Sequence, residues 1–455
     1  MKIKKWLLAL ILASLVSSVN ACAVPPEPLP SPPPTVLPTP EPSPTMLRVE
    51  ALDPTGCEVH LWHSLSAEKE ATLLALTSEF QTSNPYGIRL RVEYHSPLSR
   101  EEWTAVAAGT PPDIVITSCD QVAEYARAGL VVTLTEYLSN TQYGLTQEEQ
   151  EDLWPIALES GCPSTQTGQP LGLFFDVHAV AMFYNATWLK KLKADAPPQT
   201  WEEFREQCNA ARDKKNATWG YAYATDGLMV FNWLSSLGEP LVAPRSEEAL
   251  LDSSQAVAAL SVLKDLIQDG CAYCAFDRDA TREDFAAEKI LFVFGSTEDL
   301  PKYAQAILNP KTKKPKFTWS VAPMPHLTEE PLVSVQGSTM SILRTTPRQQ
   351  LAAWLFIKWF LQQENDVQWA LSCGALPLHK SSLETQEMKD YFAQNPQYEL
   401  ACQWMAYAQA EPAIPKWREI RELLAHAATM VCQGQAEPAE ALTAADVAAD
   451  NLLAR

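Results

Sequence analysis

The sequence predicts an α/β fold arranged in more than one domain, and three observations carry that expectation. Past the first fifty residues, short β-rich runs alternate with amphipathic helical stretches in β-α-β-α-β order, the pattern of a sheet with helices on its faces. The chain has 455 residues, too many for one ordinary core. Its composition, 46% hydrophobic and 20% charged, lies in the globular range.

The elements follow in order. Glu58 to Trp62 reads as a first strand, and Ser66 to Gln81 as a helix with Leu73, Leu76 and Phe80 on one face. Ile88 to Tyr94 is a second strand, Glu101 to Ala108 a helix, and Ile114 to Thr117 a third strand after the turn Gly109-Thr-Pro-Pro-Asp113. Leu171 to Phe175 and Val177 to Tyr184 read as two strand-like runs separated by Asp176. A capping box at Thr200 and Glu203 starts a helix, because each side chain can bond the other's backbone amide. Asp252-Ser-Ser starts another, running through Leu260, Leu263 and Ile267 to a stop at Gly270. Strands follow at Ile290 to Phe294, Trp319 to Ala322 and Ser338 to Leu343. The C-terminal third is mostly helical, at Arg348 to Gln363, Asp366 to Ser372, Tyr398 to Gln409 and Lys416 to Val431, and no internal repeat is present.

The N-terminal end reads differently. Lys2, Lys4 and Lys5, the apolar run from Trp6 to Val16, and the small-residue end Ser17 to Cys22 form an export signal over residues 1–21. The apolar run falls short of the roughly 20 residues that span a bilayer. Val19-Asn-Ala-Cys22 resembles a bacterial lipobox, which makes Cys22 the lipidated residue and the membrane a partner through that anchor. Residues 22–46 then form a tether: 11 of the 23 residues from Ala23 to Thr45 are proline. At about 3.1 Å per residue in polyproline II, this stalk reaches roughly 70 Å.

Charge and motifs exclude several functions. With 35 Lys+Arg against 55 Asp+Glu the net charge is −20, or −23 once the three lysines of the signal are gone, so nucleic acid is not a partner. There is no G-x-S-x-G, P-loop, H-E-x-x-H or dinucleotide fingerprint, and the sequence calls for no metal and no cofactor. His60 and His63 lie on opposite faces of an extended strand, which argues against a shared metal. Nine cysteines besides Cys22 allow at most four disulfides and leave a thiol over. Their connectivity is open, and Cys271-Ala-Tyr-Cys274 reads as structural disulfide, buried thiol or redox pair. Of the Trp residues, Trp354 and Trp359 read as core, whereas Trp62 and Trp233 are candidates to face a cleft as flat platforms.

Several segments in order then carry a resemblance: Val59-His-Leu-Trp-His-Ser64, the Phe80-to-Pro85 helix end, Ala108-Gly-Thr-Pro-Pro-Asp-Ile-Val115 and Ala128-Gly-Leu-Val-Val-Thr-Leu134. Leu171-Gly-Leu-Phe-Phe-Asp-Val177 with Phe183-Tyr-Asn185, Pro198-Gln-Thr-Trp-Glu-Glu-Phe204, Asp284-Phe-Ala-Ala-Glu-Lys-Ile-Leu-Phe292 and Val333-Ser-Val-Gln-Gly-Ser338 continue it. The chain resembles the family 1 extracellular solute-binding proteins of bacterial ABC importers, the group of maltose-, multiple-sugar- and glycerol-3-phosphate-binding proteins. The resemblance implies a two-lobe periplasmic-binding-protein-like (type II) fold with three interlobe crossings and a hinge. By analogy, residues 55–175 plus 325–362 form the N-terminal lobe, and 176–322 plus 370–455 the C-terminal lobe.

The resemblance also places ligand contacts at His63, Ser64, Asp120, Asp176, Trp233, Ser296, Thr297, Gln336, Gly337, Ser338 and Trp404. Gly374-Ala-Leu-Pro377 departs from the family's Gly-aromatic-x-Pro segment, leaving Trp369 or Trp404 to supply a ring on that side. The function implied is a monomeric substrate-binding lipoprotein, not an enzyme, anchored to the cell membrane on its outer side. It would capture a small-molecule solute, a sugar or related polyol, and deliver it to the transmembrane subunits of an ABC permease. The acidic charge and cleft loops without an Arg or Lys cluster favour a neutral ligand. The alternatives are an exported lipid-anchored hydrolase such as a glycosidase, or a binding protein that reports solute to a sensor.

Overall fold

The computed structural model describes residues 49–95, 111–158, 162–238, 240–243 and 246–454. The signal, Cys22, the tether and the helix expected at Glu101 to Ala108 lie outside the described residues. Strands are β1 (Glu58–His63), β2 (Arg89–Tyr94), β3 (Ile114–Thr117), β4 (Leu173–Asn185), β5 (Trp219–Tyr223), β6 (Ala272–Cys274), β7 (Ile290–Ser296), β8 (Trp319–Ala322), β9 (Val333–Ile342) and β10 (Ala408–Ala410). They join in the order β2-β1-β3-β9-β4-β7-β5-β6, with β10 added to β9 and β8 to β4.

β4 is the pivot of this arrangement. Its first part, Leu173 to Ala179, pairs antiparallel with β9, and its second part, Val180 to Asn185, pairs with β7 and β8. One strand therefore belongs to both halves of the sheet. Asp176 does not divide the segment as its charge suggested; the register shifts between Phe174 and Asp176 and the strand continues. The carboxylate is tolerated because cationic and N–H partners meet it, as described below. Almost every residue of β4 is buried, which explains its near-continuous apolar sequence.

The local helix signals hold. Ser66 caps Ala67–Ser83 by accepting from the Lys69 amide, and Leu73, Leu76, Thr77 and Phe80 form its buried stripe. Thr200 and Glu203 form a full capping box ahead of Trp201–Ala211. Ser253 caps Ser254–Asp269, which ends at Gly270 in the left-handed region with φ 70°. In the second half, Trp201–Ala211, Gly227–Ser235, Ser254–Asp269, Trp417–Cys432 and Pro438–Leu453 bury a continuous core around Phe204, Tyr221, Leu263, Phe292 and Leu424. One difference lies near the C-terminus: the helix expected from Tyr398 to Gln409 ends at Gln403. A 3-10 turn over Trp404–Tyr407 leads from it into β10, whose three residues pair with Val333 to Val335. A strand this short carries no period of its own, so only the tertiary partner reveals it.

Cysteine pairing resolves part of the open arithmetic. Disulfides join Cys119 to Cys162 and Cys274 to Cys432, with Cα atoms 5.5 and 6.0 Å apart. Cys271 is a buried free thiol, so Cys271 and Cys274 are not a redox pair with each other. Among the described residues no helix is long and apolar enough to cross a membrane, and no cluster of His, Cys, Asp and Glu could hold a metal.

Candidate functional site

Where β4 passes between the halves, a cavity of about 270 Å³ opens. Its walls come from six places. They are Lys69 on the first helix, Ser118 to Asp120 after β3, and Phe174, Asp176 and His178 on β4. Glu298 follows β7, Val335 to Ser338 belong to β9, and Glu411, Pro412, Trp417 and Arg421 lie beyond β10.

The site is a network of charges. Asp176 is 2% exposed; its Oδ2 accepts from Lys69 Nζ at 2.8 Å and its Oδ1 from Trp369 Nε1 at 3.2 Å. His178 Nε2 sits 3.1 Å from the same ammonium and 3.3 Å from Asp176 Oδ1. Burial by itself raises the carboxyl of Asp176, but His178 and Lys69 outweigh it and hold the group well below the usual carboxylate range. Lys69 also reaches Glu298 Oε1 at 3.2 Å; burial opposes its charge, yet Asp176 and Glu298 prevail and push it up. On the far wall Glu411 accepts from Arg421 Nη1 at 3.0 Å and from Trp417 Nε1 at 3.1 Å, and burial pushes its carboxyl up despite Arg421.

The geometry sorts the candidates expected from the sequence. Asp120, Asp176, Gln336, Gly337 and Ser338 are brought together on this cavity. Gly337 has a specific reason to be glycine, since a Cβ there would stand 1.6 Å from the carbonyl oxygen of Asp176. The others lie elsewhere. Trp233 is 4% exposed and stacks on Trp201, ring centroids 4.5 Å apart, inside the core of the second half. Ser296 caps the 3-10 turn after β7 by accepting from Glu298, and Thr297 Oγ1 accepts from the Ala179 amide at 3.0 Å. His63 is buried, its Nδ1 accepting from Leu65, and Ser64 beside it does not line the cavity. Trp404 is buried in the turn before β10, Trp62 stacks on His95, and Trp369 holds Asp176 from behind. Ala375 and Leu376 are buried, and the Leu376 amide donates to Val177 at 2.7 Å, so that segment braces β4.

Sequence reasoning missed Lys69, His178, Glu298, Glu411, Trp417 and Arg421; the two cations come from helices and not from the cleft loops, where no Arg or Lys cluster was expected. Two of them had left a signal. Lys69 occupies the position four before Leu73, where the apolar stripe calls for another hydrophobe, and Arg421 shares a helix face with Trp417, Leu424 and Ala428. A cation in an apolar register marks a place where the helix meets a partner charge.

The fold is that of an α/β binding protein, and the cavity lies between two halves of its sheet. A family model described as "Bacterial extracellular solute-binding protein" matches residues 75–398, and the chain belongs to that family. As a member it is an extracellular or periplasmic solute-binding protein, with a binding role and not a catalytic one. Among curated relatives, the maltotriose-binding protein of Pyrococcus abyssi is 22% identical over 338 residues, 73% of this chain and 69% of that one. The sn-glycerol-3-phosphate-binding periplasmic protein UgpB of Escherichia coli is 21% identical over 427 residues, 87% of this chain and 92% of that one. Among solved structures, the sugar-binding protein MalE of Xanthomonas citri aligns with a TM-score of 0.75 at 17% identity, over 87% of this chain and 97% of that one. The cyclic alpha-maltosyl-1,6-maltose binding protein of Arthrobacter globiformis aligns with a TM-score of 0.71 at 19% identity, over 87% and 98%. These likenesses establish the fold.

Proposed function

We propose that this chain captures a neutral, hydroxyl-rich solute, a sugar or polyol, in the cavity at β4. The observation that carries the reading is the charge balance of the walls. Lys69 and Arg421 are each held by carboxylates, and Asp120, Asp176, Glu298 and Glu411 outnumber them. An anionic ligand must break one of these pairs and face the remaining acids, whereas a hydroxyl can donate to a carboxylate and accept from an ammonium without disturbing the balance. Ser118, Gln336 and Ser338 add uncharged partners of the same kind. The curated relatives named above include both a maltotriose binder and a glycerol-3-phosphate binder, and the wall charges favour the first type.

In this reading the lobes, 55–175 plus 325–362 and 176–322 plus 370–455, close over the solute and the closed form engages the permease. Cys22 carries the lipid, and residues 22–46 are the tether to it. Ligand that binds only the folded chain raises its melting point, so a thermal-shift screen of sugars, polyols and phosphate esters tests the assignment. A rise with a neutral sugar or polyol supports it. Stabilisation by a phosphate ester with none from any neutral carbohydrate removes it. Labelling cells with radioactive palmitate tests the anchor, which requires label on the wild type and none on Cys22→Ser.

A further inference from the structure

We propose that the captured solute is a glycoside, a sugar head carrying an apolar aglycone, and that a second cavity beside the charged one receives the aglycone. The proposal rests on the sugar reading above and adds to it the substrate class.

The second cavity measures about 620 Å³, more than twice the charged one, and among the described residues no charged side chain lines it. Its apolar walls include Phe231, Leu241, Val242, Leu332 and Ile414, and its polar groups are small hydroxyls with a single side-chain amide, Gln409. Three features place it next to the charged cavity. Pro412 lines both. Trp417 on the first wall meets Phe231 on the second edge to face, ring centroids 5.2 Å apart. The Cys119–Cys162 disulfide ties a wall residue of the first cavity to the start of the segment, Pro163 and Ser164, that walls the second.

The lining decides between occupants. A further sugar ring needs partners for each hydroxyl it buries, and here it finds aliphatic carbon on most sides. The one aromatic ring, Phe231, is 6% exposed and engaged by Trp417, so it offers no open face for stacking. An alkyl or aryl group has no hydroxyls to satisfy and gains up to about fourfold in affinity for each methylene it buries. The smaller charged cavity holds the head, and the larger uncharged one suits a tail.

The test is calorimetric titration of the full chain with methyl and n-octyl glycosides of glucose, galactose and mannose, below the micellar concentration, with maltotriose and n-octanol alongside. For the head that binds, the octyl glycoside should bind at least about tenfold more tightly than the methyl glycoside. That gain should shrink in Val242→Asn and Leu332→Asn, two partly exposed wall positions, while methyl-glycoside affinity holds and a cooperative melting transition remains. Equal affinity for methyl and octyl glycosides, or a greater gain from maltotriose, overturns the aglycone proposal and leaves the sugar reading standing. Octanol binding as tightly as the octyl glycoside also overturns it, since the head then contributes nothing. No binding by any glycoside or sugar overturns both.

Discussion

Lys69 Nζ lies 2.8 Å from Asp176 Oδ2, so the first turn of the helix Ala67–Ser83 is fastened to the first part of β4 across 107 residues of sequence. The same ammonium touches Glu298 beyond β7, and one cation therefore joins three segments around the cavity. Because Trp369 and His178 complete the shell of Asp176, the carboxylate is oriented before any solute arrives.

Replacing Asp176 by Asn keeps the shape and removes the charge that Lys69 answers. The cost should be about 3 kcal/mol, the lower end for breaking a buried pair, because Glu298 still faces the ammonium. The effect depends on pH in a fixed direction. Since the folded value lies below the ordinary 3.8, the wild type keeps this contribution above roughly pH 4–5 and loses it as pH falls toward the folded value. Urea unfolding at several pH values should find the gap between wild type and Asp176→Asn full at neutral pH and narrowing in acid.

Trp233 belongs to the core and not to the ligand. Trp233→Ala should lower stability by about 3–5 kcal/mol, as a lost aromatic stack at Trp201 leaves a hole, while Trp233→Phe retains solute affinity within a factor of about two. Chemical denaturation and titration on the same variants separate the two effects.

The cysteines divide by burial and pairing. Cys57, Cys208, Cys271 and Cys402 are buried free thiols and should resist iodoacetamide in the folded protein, while Cys119, Cys162, Cys274 and Cys432 should react only after reduction. Cys373 is partly exposed, but burial raises its thiol to about 11, so it should alkylate slowly at neutral pH. Peptide mass mapping distinguishes these groups. Loss of the Cys274–Cys432 bridge, which closes a loop 158 residues apart in sequence, should cost on the order of 5 kcal/mol on the chain-entropy model.

What the sequence revealed and what it hid divide along the range of the forces involved. The capping box at Thr200, the stop at Gly270 and the strand Ile114–Thr117 rest on bonds or periods within a few residues, and they were legible. The charged site was legible only at Asp120, Asp176 and the Gln336 to Ser338 turn, through resemblance. Lys69, Glu411 and Arg421 acquire their meaning from partners brought in by tertiary folding, so reading the cleft loops for an Arg or Lys cluster passed over them. Trp233 misled for the converse reason: a flat ring before a loop reads alike whether it meets solvent or Trp201.

Three ion pairs should act together on the ligand-free chain. Lys69–Glu298, Arg127–Glu247 and Lys416–Glu124 each join segments far apart in the sequence, and each is partly exposed. Exposed pairs contribute about 0–1 kcal/mol and are screened by salt. Small-angle scattering should therefore record a larger radius of gyration at molar salt than at low salt, and adding the bound solute should suppress the difference.

The central claim is that the cavity around Lys69, Asp176 and Glu411 is where solute binds, and calorimetric titration of cavity variants tests it most directly. With the neutral sugar or polyol that gives the largest thermal shift, Asp120→Ala and Glu411→Gln should each lose at least about tenfold in affinity, the order of one charge-assisted hydrogen bond, while Trp233→Phe and Ser64→Ala bind as the wild type does. Unchanged affinity in both cavity variants, with loss in Trp233→Phe, would contradict the account and move the site toward Trp233.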